Sequence, residues 1–451
     1  MHLVYSIVLT VGFLLMLPAF LLGREKYASG LRERLGAYPE FKHDGRKIIW
    51  LHCVSVGETN AARPLVDRLI ENFPDCRLII STTTRTGQEL AQKIFAEKAD
   101  AFFYFPFDWK FSVVRALRHF TPSLVLLMET EIWPRFIREA KLGGAKVVIV
   151  NGRLSAKSFG RYSKLKAFIS RVLADVDLAL MQTEHDANRI VSLGMTGGKT
   201  HVTGNLKFDL ETDASEDATT RSLDQRFEIS NLRSETSRPR PLIVAASTHG
   251  SEEKILLDAY CSVAAEMKPR PRLLIAPRHP ERFGAVAEMI RRFRDDPACE
   301  WKRYLFARRS SEPTDDDKTS DIILLDSIGE LRAVYPLAEI VFVGGSLIPH
   351  GGQSVLEPAA AAKAIITGPH THNFEAVVRE LIANSALIRL PTLREEQFAD
   401  ELFDILDELL KDADTRSRMG STAARVVNEN RGATEKTIGL LAKVAGASPP
   451  S

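Results

Sequence analysis

Residues 341–373 read VFVGGSLIPHGGQSVLEPAAAAKAIITGPHTHN, and their pattern is the strongest indication of the class of fold. An apolar run ends at Gly344-Gly345, a loop with a second glycine pair follows, and an alanine-rich segment leads into another apolar run, Ala364 to Thr367. Strand, glycine loop, helix and strand in this order are typical of a nucleotide-binding α/β sheet. Glycines let backbone N–H groups approach an anion, and the start of a helix adds partial positive charge.

Two interpretations of the segment from Ser354 to Glu357 stay open. Glu357 falls in the first turn of the predicted helix, where its carboxylate could accept hydrogen bonds from ribose hydroxyls. Alternatively, Ser354-x-x-Glu357 is only a capping box, which satisfies the N–H groups at the start of a helix. The loop is richer in glycine than a cap requires, so the pattern favours a nucleotide site.

Composition bounds the class of protein. A chain of 451 residues suggests two or three domains, and its 45% hydrophobic content supports full-sized cores. Lys plus Arg number 60 and Asp plus Glu 58, a balance that argues against nucleic acid or another polyanion as a partner. The cysteines lack paired spacing and are predicted to be reduced thiols without a zinc site; they are Cys53, Cys76, Cys261 and Cys299.

An uncharged segment, LVYSIVLTVGFLLMLPAFLL at residues 3–22, is long enough to cross a bilayer. A cleavable secretory signal would carry its positive charge ahead of the apolar run. Here the basic residues follow it, at Arg24, Lys26, Arg32 and Arg34. We therefore expect a single anchor helix over residues 1–23 in the inner (cytoplasmic) membrane, with the rest of the chain on the cytoplasmic side. A buried core helix is the alternative.

From Lys47 onward, apolar strands alternate with amphipathic helices, which predicts parallel sheets covered on both faces. The polar segment at residues 211–240 separates two such series and is predicted to be a partly helical linker. We expect Rossmann-like, doubly wound domains at residues 24–210 and 241–451. A cleft between them would receive ligands at the carboxyl ends of the strands.

Unusual polar segments follow the predicted strands of both halves. They are Ser55 to Thr59, Glu129 to Pro134, Asn151 to Arg153, Thr203 to Asp209, Ser247 to His249, Pro277 to Pro280 and the glycine stretch. Because the carboxyl ends of parallel strands share one edge of a sheet, these segments should cluster, which indicates an enzyme.

Each of these segments also has a simpler interpretation. Ser55-x-x-Glu58 could be a capping box, Glu129 could flank a helix start, and Arg278 could form a surface ion pair. His249 and His279 lack a third ligand at metal spacing, which favours structural roles. The aspartates at 315–317 are predicted to lie in an exposed loop and not in a divalent-ion site.

Taken together, the motifs resemble the 3-deoxy-D-manno-octulosonic acid (Kdo) transferases of lipopolysaccharide synthesis, a family of membrane-anchored glycosyltransferases of GT-B type. The similarity extends from the apolar N-terminal segment to about residue 430. It rests on SVGET, METEIWP, NGRLSAKSFGRY, TGNLKFD, STHGSEE, PRHPERF, GGSLIPHGGQSVLEPA and GPHTHNF.

The resemblance implies transfer of Kdo from CMP-Kdo to a lipid A precursor, without a metal or other cofactor. By position, it implies that Glu58 is the general base and that Glu129 and Lys207 stabilise the transition state. It assigns CMP binding to Pro277, Arg278, Gly329, Glu330, Leu331, Ser354, Val355, Leu356 and Glu357. The chain departs from the usual family sequence Gly-Gly-His-Asn-Pro-Leu-Glu-Pro, since Gln353, Ser354 and Val355 replace His-Asn-Pro.

A basic segment from Arg153 to Arg171 contains six Lys or Arg residues, no acidic residue and several interleaved apolar side chains. This composition suits a surface that meets anionic lipid headgroups, and it equally suits a solvated basic helix. Two other functions are compatible with the sequence: another GT-B sugar transferase or nucleotide-sugar epimerase, and an inactive membrane scaffold. The apolar anchor argues against a soluble epimerase, and the retained Glu58, Glu129, Lys207 and Arg278 argue against a scaffold.

Overall fold

The computed structural model describes residues 5–7, 9–13, 29–209, 215–230, 240–295 and 304–446. The chain divides into two compact units, one comprising residues 1–209 and 430–451 and the other residues 210–429. Each unit contains one seven-stranded sheet in which all neighbouring strands are parallel. The predicted α/β class with parallel sheets is confirmed.

In the first sheet the strand order is β3-β2-β1-β4-β5-β6-β7. The strands are β1 Lys47–Cys53, β2 Cys76–Thr82, β3 Ala101–Tyr104, β4 Leu124–Met128, β5 Lys146–Gly152, β6 Leu178–Met181 and β7 Thr200–Val202. Alternate residues of β1 enter different cores: Trp50 packs in one and Leu51 in the other. Burial on both faces explains why these strands appear in the sequence as continuous apolar runs.

Helices cover both faces of the first sheet. Those before residue 210 are Leu31–Arg34, Val56–Ala61, Arg63–Asn72, Arg85–Ile94, Lys110–Phe120, Pro134–Leu142, Ala156–Ser163, Lys166–Leu173 and Glu184–Ser192. Helix Ala433–Ala445 also packs against the first sheet, because Ile438 and Leu441 enter one of the two hydrophobic cores of that sheet. The Asp209 carboxylate fixes the start of this helix by accepting the backbone N–H groups of Gly432 and Thr434 at 2.7 and 2.6 Å. The final helix therefore belongs to the first unit, whereas the predicted division placed it in the second domain.

In the second sheet the order is β10-β11-β9-β8-β12-β13-β14. Its strands are β8 Leu242–Thr248, β9 Arg272–Pro277, β10 Phe306–Arg308, β11 Ile322–Leu324, β12 Ile340–Val343, β13 Ala364–Thr367 and β14 Leu387–Arg389. Its helices are Ser215–Phe227, Glu252–Glu266, Phe283–Asp295, Leu331–Val334, Leu356–Ala360, Glu375–Ala383, Phe398–Lys411 and Ala413–Glu429.

The helical part of the predicted linker belongs to the second unit. Arg226, at the end of helix Ser215–Phe227, forms a 2.7 Å ion pair with Asp317, and both side chains are buried. Its guanidinium also donates to the carbonyl oxygens of Arg308 and Arg309. These contacts fix the segment against β10 and the loop that follows it, so residues 215–227 are part of the fold of that unit.

The predicted anchor falls mostly outside the described residues. Within residues 3–22, positions 5–7 and 9–13 are described, and they are helical. Across the described part of the chain, no helix combines the length and the apolar character that a membrane span requires.

Candidate active site

Polar residues collect at the carboxyl-terminal edge of the first sheet. Glu58 follows β1 and Glu129 follows β4, and these strands are neighbours. Glu129 and Asn151, which lies at the end of β5, adopt positive φ angles of 54° and 53°. Side chains other than glycine reach this left-handed region only at a cost, and such positions concentrate at functional sites. The prediction that these motifs share one edge is confirmed for this sheet.

Glu58 is buried, with only 7% of the residue exposed. Its Oε2 accepts the backbone N–H of Val54 at 2.7 Å, and the Ser55 hydroxyl donates to Oε1 at 3.3 Å. The alternative interpretation of Ser55-x-x-Glu58 as a capping box is therefore wrong: the Ser55 side chain does not cap helix Val56–Ala61, and the Glu58 carboxylate accepts the N–H of Val54 at the end of the strand.

Three carboxyl groups influence one another at this edge. Burial, together with the charges of Glu129 and Glu131, raises the pKa of Glu58 to about 8, and the hydrogen bonds from Val54 and Ser55 oppose that shift. Burial and the charge of Glu129 also raise the pKa of Glu131. A carboxyl group with a pKa near neutrality is suited to general acid–base catalysis, since it can both take up and release a proton at working pH.

Lys207 lies beyond β7 in the short 3₁₀ helix Leu206–Phe208 and is half-buried. The Asn205 side chain accepts the N–H of Lys207 at 3.1 Å, and the Asn151 side chain accepts the N–H of Leu206 at 3.0 Å. Asn151 thus ties the end of β5 to the turn that carries Lys207. The sequence indicated Asn151 only as part of a strand-end motif, without this role.

At the corresponding edge of the second sheet, the Glu252 carboxylate organises the glycine-rich loop. It is fully buried and accepts four backbone N–H groups, at distances of 2.7 to 2.8 Å, from His249, Gly345, Ser346 and Leu347. Burial raises its pKa, and these four donors oppose that shift. No sequence pattern indicated this role, because an acidic residue at the start of a helix is commonplace.

Glu253 joins two more of the predicted motifs. The Thr248 hydroxyl donates to its carboxylate at 2.8 Å, and Arg282 pairs with both of its oxygens at 2.5 and 3.0 Å. Gly344 permits the close packing, since a Cβ at this position would lie 2.7 Å from the Thr248 Cα. Two adjacent glutamates therefore hold STHGSEE, PRHPERF and GGSLIPHGG together.

The residues that the resemblance assigns to CMP binding lie around this edge in three segments. Pro277 ends β9 and is buried, whereas Arg278 is exposed and its backbone N–H donates to the Thr248 carbonyl at 3.0 Å. Glu330 pairs with Arg309 at 2.8 Å, and this partner lowers the pKa of Glu330. Gly329 precedes it with a φ of 90°, and Leu331 begins the helix that follows.

The third segment, Ser354 to Glu357, starts a helix of only five residues, Leu356–Ala360. The Ser354 hydroxyl accepts the N–H of Leu356 at 3.3 Å, but the N-cap residue is Val355 and its side chain makes no capping hydrogen bond, so the Ser354-x-x-Glu357 capping box is wrong. Val355 and Leu356 are buried. The Glu357 carboxylate lies 3.8 Å from Arg332, which brings this segment close to Gly329–Leu331. The hydrogen bonds from ribose hydroxyls to the Glu357 carboxylate stay a prediction.

The loop with three consecutive aspartates is only partly exposed, although the sequence predicts that all of it is. Asp315 and Asp316 are exposed, but Asp317 is buried in its ion pair with Arg226. Its side chain also accepts the Thr314 N–H, which caps the 3₁₀ helix Asp315–Thr319. Asp317 therefore has a structural role.

Solved structures show the class of fold. A glycosyltransferase from Rickettsia africae is similar with a TM-score of 0.53 and 14% identity, over 90% of this chain and 100% of its own. A UDP-N-acetylglucosamine 2-epimerase has a TM-score of 0.50 and 12% identity, over 90% of this chain and 99% of its own. These likenesses show the fold alone, which is GT-B-like with two parallel α/β sheets.

Sequence comparison is more specific. A family model described as 3-Deoxy-D-manno-octulosonic-acid transferase (kdotransferase) matches residues 29–210. The 3-deoxy-D-manno-octulosonic acid transferase of Haemophilus influenzae is 35% identical over 92% of this chain and 91% of its own length. That of Bordetella pertussis is 31% identical over 87% and 86%. The chain belongs to the 3-deoxy-D-manno-octulosonic acid (Kdo) transferase family and is a glycosyltransferase of lipopolysaccharide biosynthesis; the epimerase alternative is set aside.

Proposed function

We propose that this protein transfers Kdo from CMP-Kdo to a phosphorylated lipid A precursor, with Glu58 as the general base and without a metal. The observation that carries the proposal is the buried Glu58 carboxyl group, whose pKa of about 8 suits proton transfer near neutral pH. Family membership supplies the donor sugar, since the relatives are named as Kdo transferases.

The proposed reaction gives separate roles to Glu58, Lys207 and Arg278. Glu58 of the first unit accepts the proton of the acceptor hydroxyl while the hydroxyl oxygen attacks the anomeric carbon of Kdo. The bond from that carbon to the phosphate oxygen of CMP breaks, and positive charge develops on the sugar ring. Arg278 and Lys207 supply positive charge that can stabilise the departing CMP anion, which is the support for a metal-free mechanism.

We also propose that the first unit meets the membrane surface. Of the six basic residues from Arg153 to Arg171, five are exposed, and Leu165 between them has 59% of its surface exposed. In the helical N-terminal segment, the ring of Phe13 packs 4.9 Å from Trp109 and 5.5 Å from Phe107. An apolar segment and an exposed basic surface on the same unit suit an anionic lipid layer as the place of the acceptor.

Incubation with CMP-Kdo and a lipid A precursor, read by mass spectrometry, tests the proposed function. We expect a product heavier by one or more Kdo residues, formed equally well after treatment with a chelator. Absence of any Kdo-bearing lipid would refute the proposed donor or acceptor, and loss of activity with the chelator would refute the metal-free mechanism.

Deleting residues 1–22 should leave CMP binding intact and reduce turnover on acceptor embedded in membranes, because the enzyme loses its concentration at the lipid surface. Turnover on detergent-dispersed acceptor serves as the control and should change less. Equal turnover of the full and shortened chains on membranes would show that the segment has no part in reaching the acceptor.

A reporter fused after Ser451 should behave as cytoplasmic, and a periplasmic signal would overturn the proposed topology.

Replacing Glu357 by alanine should weaken CMP binding by about 1–3 kcal/mol if ribose hydroxyls donate to that carboxylate. The helix does not depend on Glu357 for a cap, so the melting temperature should change little. Glu396→Ala, which removes an exposed carboxylate from the same unit, is the matched control. Unchanged CMP affinity in folded Glu357→Ala protein, measured by calorimetry, would remove the residue from the donor site.

A further inference from the structure

Three histidines meet at the carboxyl-terminal edge of the second sheet. His249 follows β8, His279 follows β9, and His350 lies in the glycine-rich loop after β12; these three strands are neighbours. The ring centroids of His249 and His279 are 4.9 Å apart, and those of His249 and His350 are 4.4 Å apart. Separate motifs thus bring three imidazoles to one place. We call them the histidine cluster.

The surroundings of the histidine cluster suit an anion. The Nδ1 atom of His249 is buried and has no hydrogen-bond partner among the residues that the structure describes. Burial lowers the pKa of His249, and His350, His279 and Arg282 lower it further, while Glu253 opposes them. Glu253 is itself bound by Arg282. A positive charge on one imidazole disfavours protonation of its neighbours, because like charges repel. A bound anion would offset that repulsion and favour protonation of an imidazole in the cluster.

One further acid is near, but at the edge of the cluster. The Glu281 carboxylate lies 3.7 Å from Nδ1 of His279, and the Glu281 side chain is 74% exposed. Solvent screens a carboxylate at that position, so it competes weakly for protonated imidazole. Glu252, which precedes Glu253, accepts the backbone N–H of His249 and directs its oxygens to the loop backbone. The two buried carboxylates beside the cluster are therefore already engaged, Glu252 by backbone N–H groups and Glu253 by Arg282.

The histidine cluster also borders the position where the chain departs from its family. A Cβ atom on Gly345 would lie 3.3 Å from Nε2 of Gln353 and 3.6 Å from Cδ2 of His350. Gln353 begins the Gln353-Ser354-Val355 sequence that replaces His-Asn-Pro. His350 is exposed, so its ring is accessible to a ligand at this edge. The loop thus presents one imidazole and one amide to the same space.

We propose that the histidine cluster binds the sugar carboxylate of the donor, next to the nucleotide phosphate. This inference rests on the proposed function, because in CMP-Kdo the carboxylate and the phosphate oxygen are bonded to the same anomeric carbon. A site for the phosphate at this sheet edge must therefore have a site for the carboxylate beside it. Imidazole N–H groups donate to carboxylates, and the bonds strengthen when the ring is charged. A nucleotide sugar without a carboxylate would not gain this contact, so the cluster would select keto-sugar acids.

The test compares CMP with CMP-Kdo. His350→Asn and His249→Asn should each lower the affinity for CMP-Kdo about 10- to 100-fold, the usual worth of a charge-assisted hydrogen bond, with CMP affinity unchanged. Binding of CMP-Kdo to wild-type protein should take up more protons than binding of CMP, and the variants should lose that difference. His43→Asn, an exposed histidine ahead of β1, is the control. His350 is exposed, so its variant should fold even if the His249 variant does not.

Three results would overturn the inference. Equal losses of CMP and CMP-Kdo affinity would place the phosphate and not the carboxylate at the cluster. Unchanged affinity for both ligands would remove the cluster from the site. Wild-type protein that binds CMP-Kdo no tighter than CMP would show that no carboxylate contact exists. Wild-type protein that discriminates between the ligands but transfers no sugar would refute the proposed function while the carboxylate site stands.

Discussion

Replacing Glu58 by glutamine should reduce turnover by roughly 10²–10⁴-fold, the usual worth of a positioned general base. The glutamine side-chain oxygen can still accept the Val54 N–H that Oε2 of Glu58 binds at 2.7 Å. Glutamine does not take up a proton at neutral pH, so proton acceptance is lost while the local structure is kept. CMP affinity should be unchanged, because the residues assigned to CMP lie in the other unit. Steady-state kinetics and calorimetry measure the two effects separately.

The pH dependence of the wild-type enzyme provides a second readout of the same group. With a pKa of about 8, Glu58 is mostly protonated at lower pH, so kcat/KM should rise with pH and level off above about 8. Stability should move in the opposite direction. The pKa of Glu58 is higher in the folded state than in the unfolded state, so the folded state binds more protons between about pH 4.5 and pH 8. As the pH rises through that range, the stability of the wild-type protein should therefore fall relative to that of Glu58→Gln.

Glu131→Gln is the matched control for this experiment. It removes a neighbouring carboxylate whose charge raises the pKa of Glu58, so turnover should persist and the rise in kcat/KM should move to lower pH. If Glu58→Gln stays within a few-fold of wild type at every pH, Glu58 serves only to bind the end of β1. Glu129, which follows the neighbouring strand, would then be the next candidate for the base.

Much of the fold was predictable because both faces of each sheet are buried. The predicted apolar run Ala364 to Thr367 coincides with β13, and the predicted alternation of strands and helices from Lys47 onward is observed in both sheets. Strand β14, Leu387–Arg389, was not predicted: it has three residues, its Arg389 is exposed, and its pairing depends on β13. Helix Lys110–Phe120 was also missed, although its buried Val113, Ala116 and Phe120 recur at helical spacing, because no side chain caps its start.

The division of the chain was harder to predict than its elements. The spacing of Ile438 and Leu441 shows that the last helix is amphipathic, but spacing alone does not identify the sheet that buries it. The same limit applies to the candidate site. Glu58 and Glu129 were found because the ends of parallel strands are recognisable in sequence. The contacts of Glu252 and His350 depend on loops that meet only after folding, so no local pattern indicated them.

Replacing Glu252 by glutamine should destabilise the protein by about 2–5 kcal/mol, because two of the four buried N–H groups lose their acceptor. Oε2 of Glu252 accepts the N–H groups of Gly345 and His249, and Oε1 accepts those of Ser346 and Leu347. An amide retains one oxygen, and its NH₂ group must then face two other donors. The loop after β12 should loosen, and CMP affinity should fall by about 10-fold or more since binding must first order the loop. Chemical denaturation and calorimetry measure the two effects.

Asp317→Asn separates positioning of the loop from general loss of stability. Asp317 is another buried carboxylate of the same unit, and its ion pair with Arg226 lies at the loop between β10 and β11. Breaking a buried ion pair costs about 3–5 kcal/mol, so the two variants should be comparably destabilised. Under conditions where both are folded, only Glu252→Gln should bind CMP weakly, because only it releases the backbone of Gly345 to Leu347. Equal CMP affinity in the two folded variants would show that Glu252 stabilises the unit without positioning the donor loop.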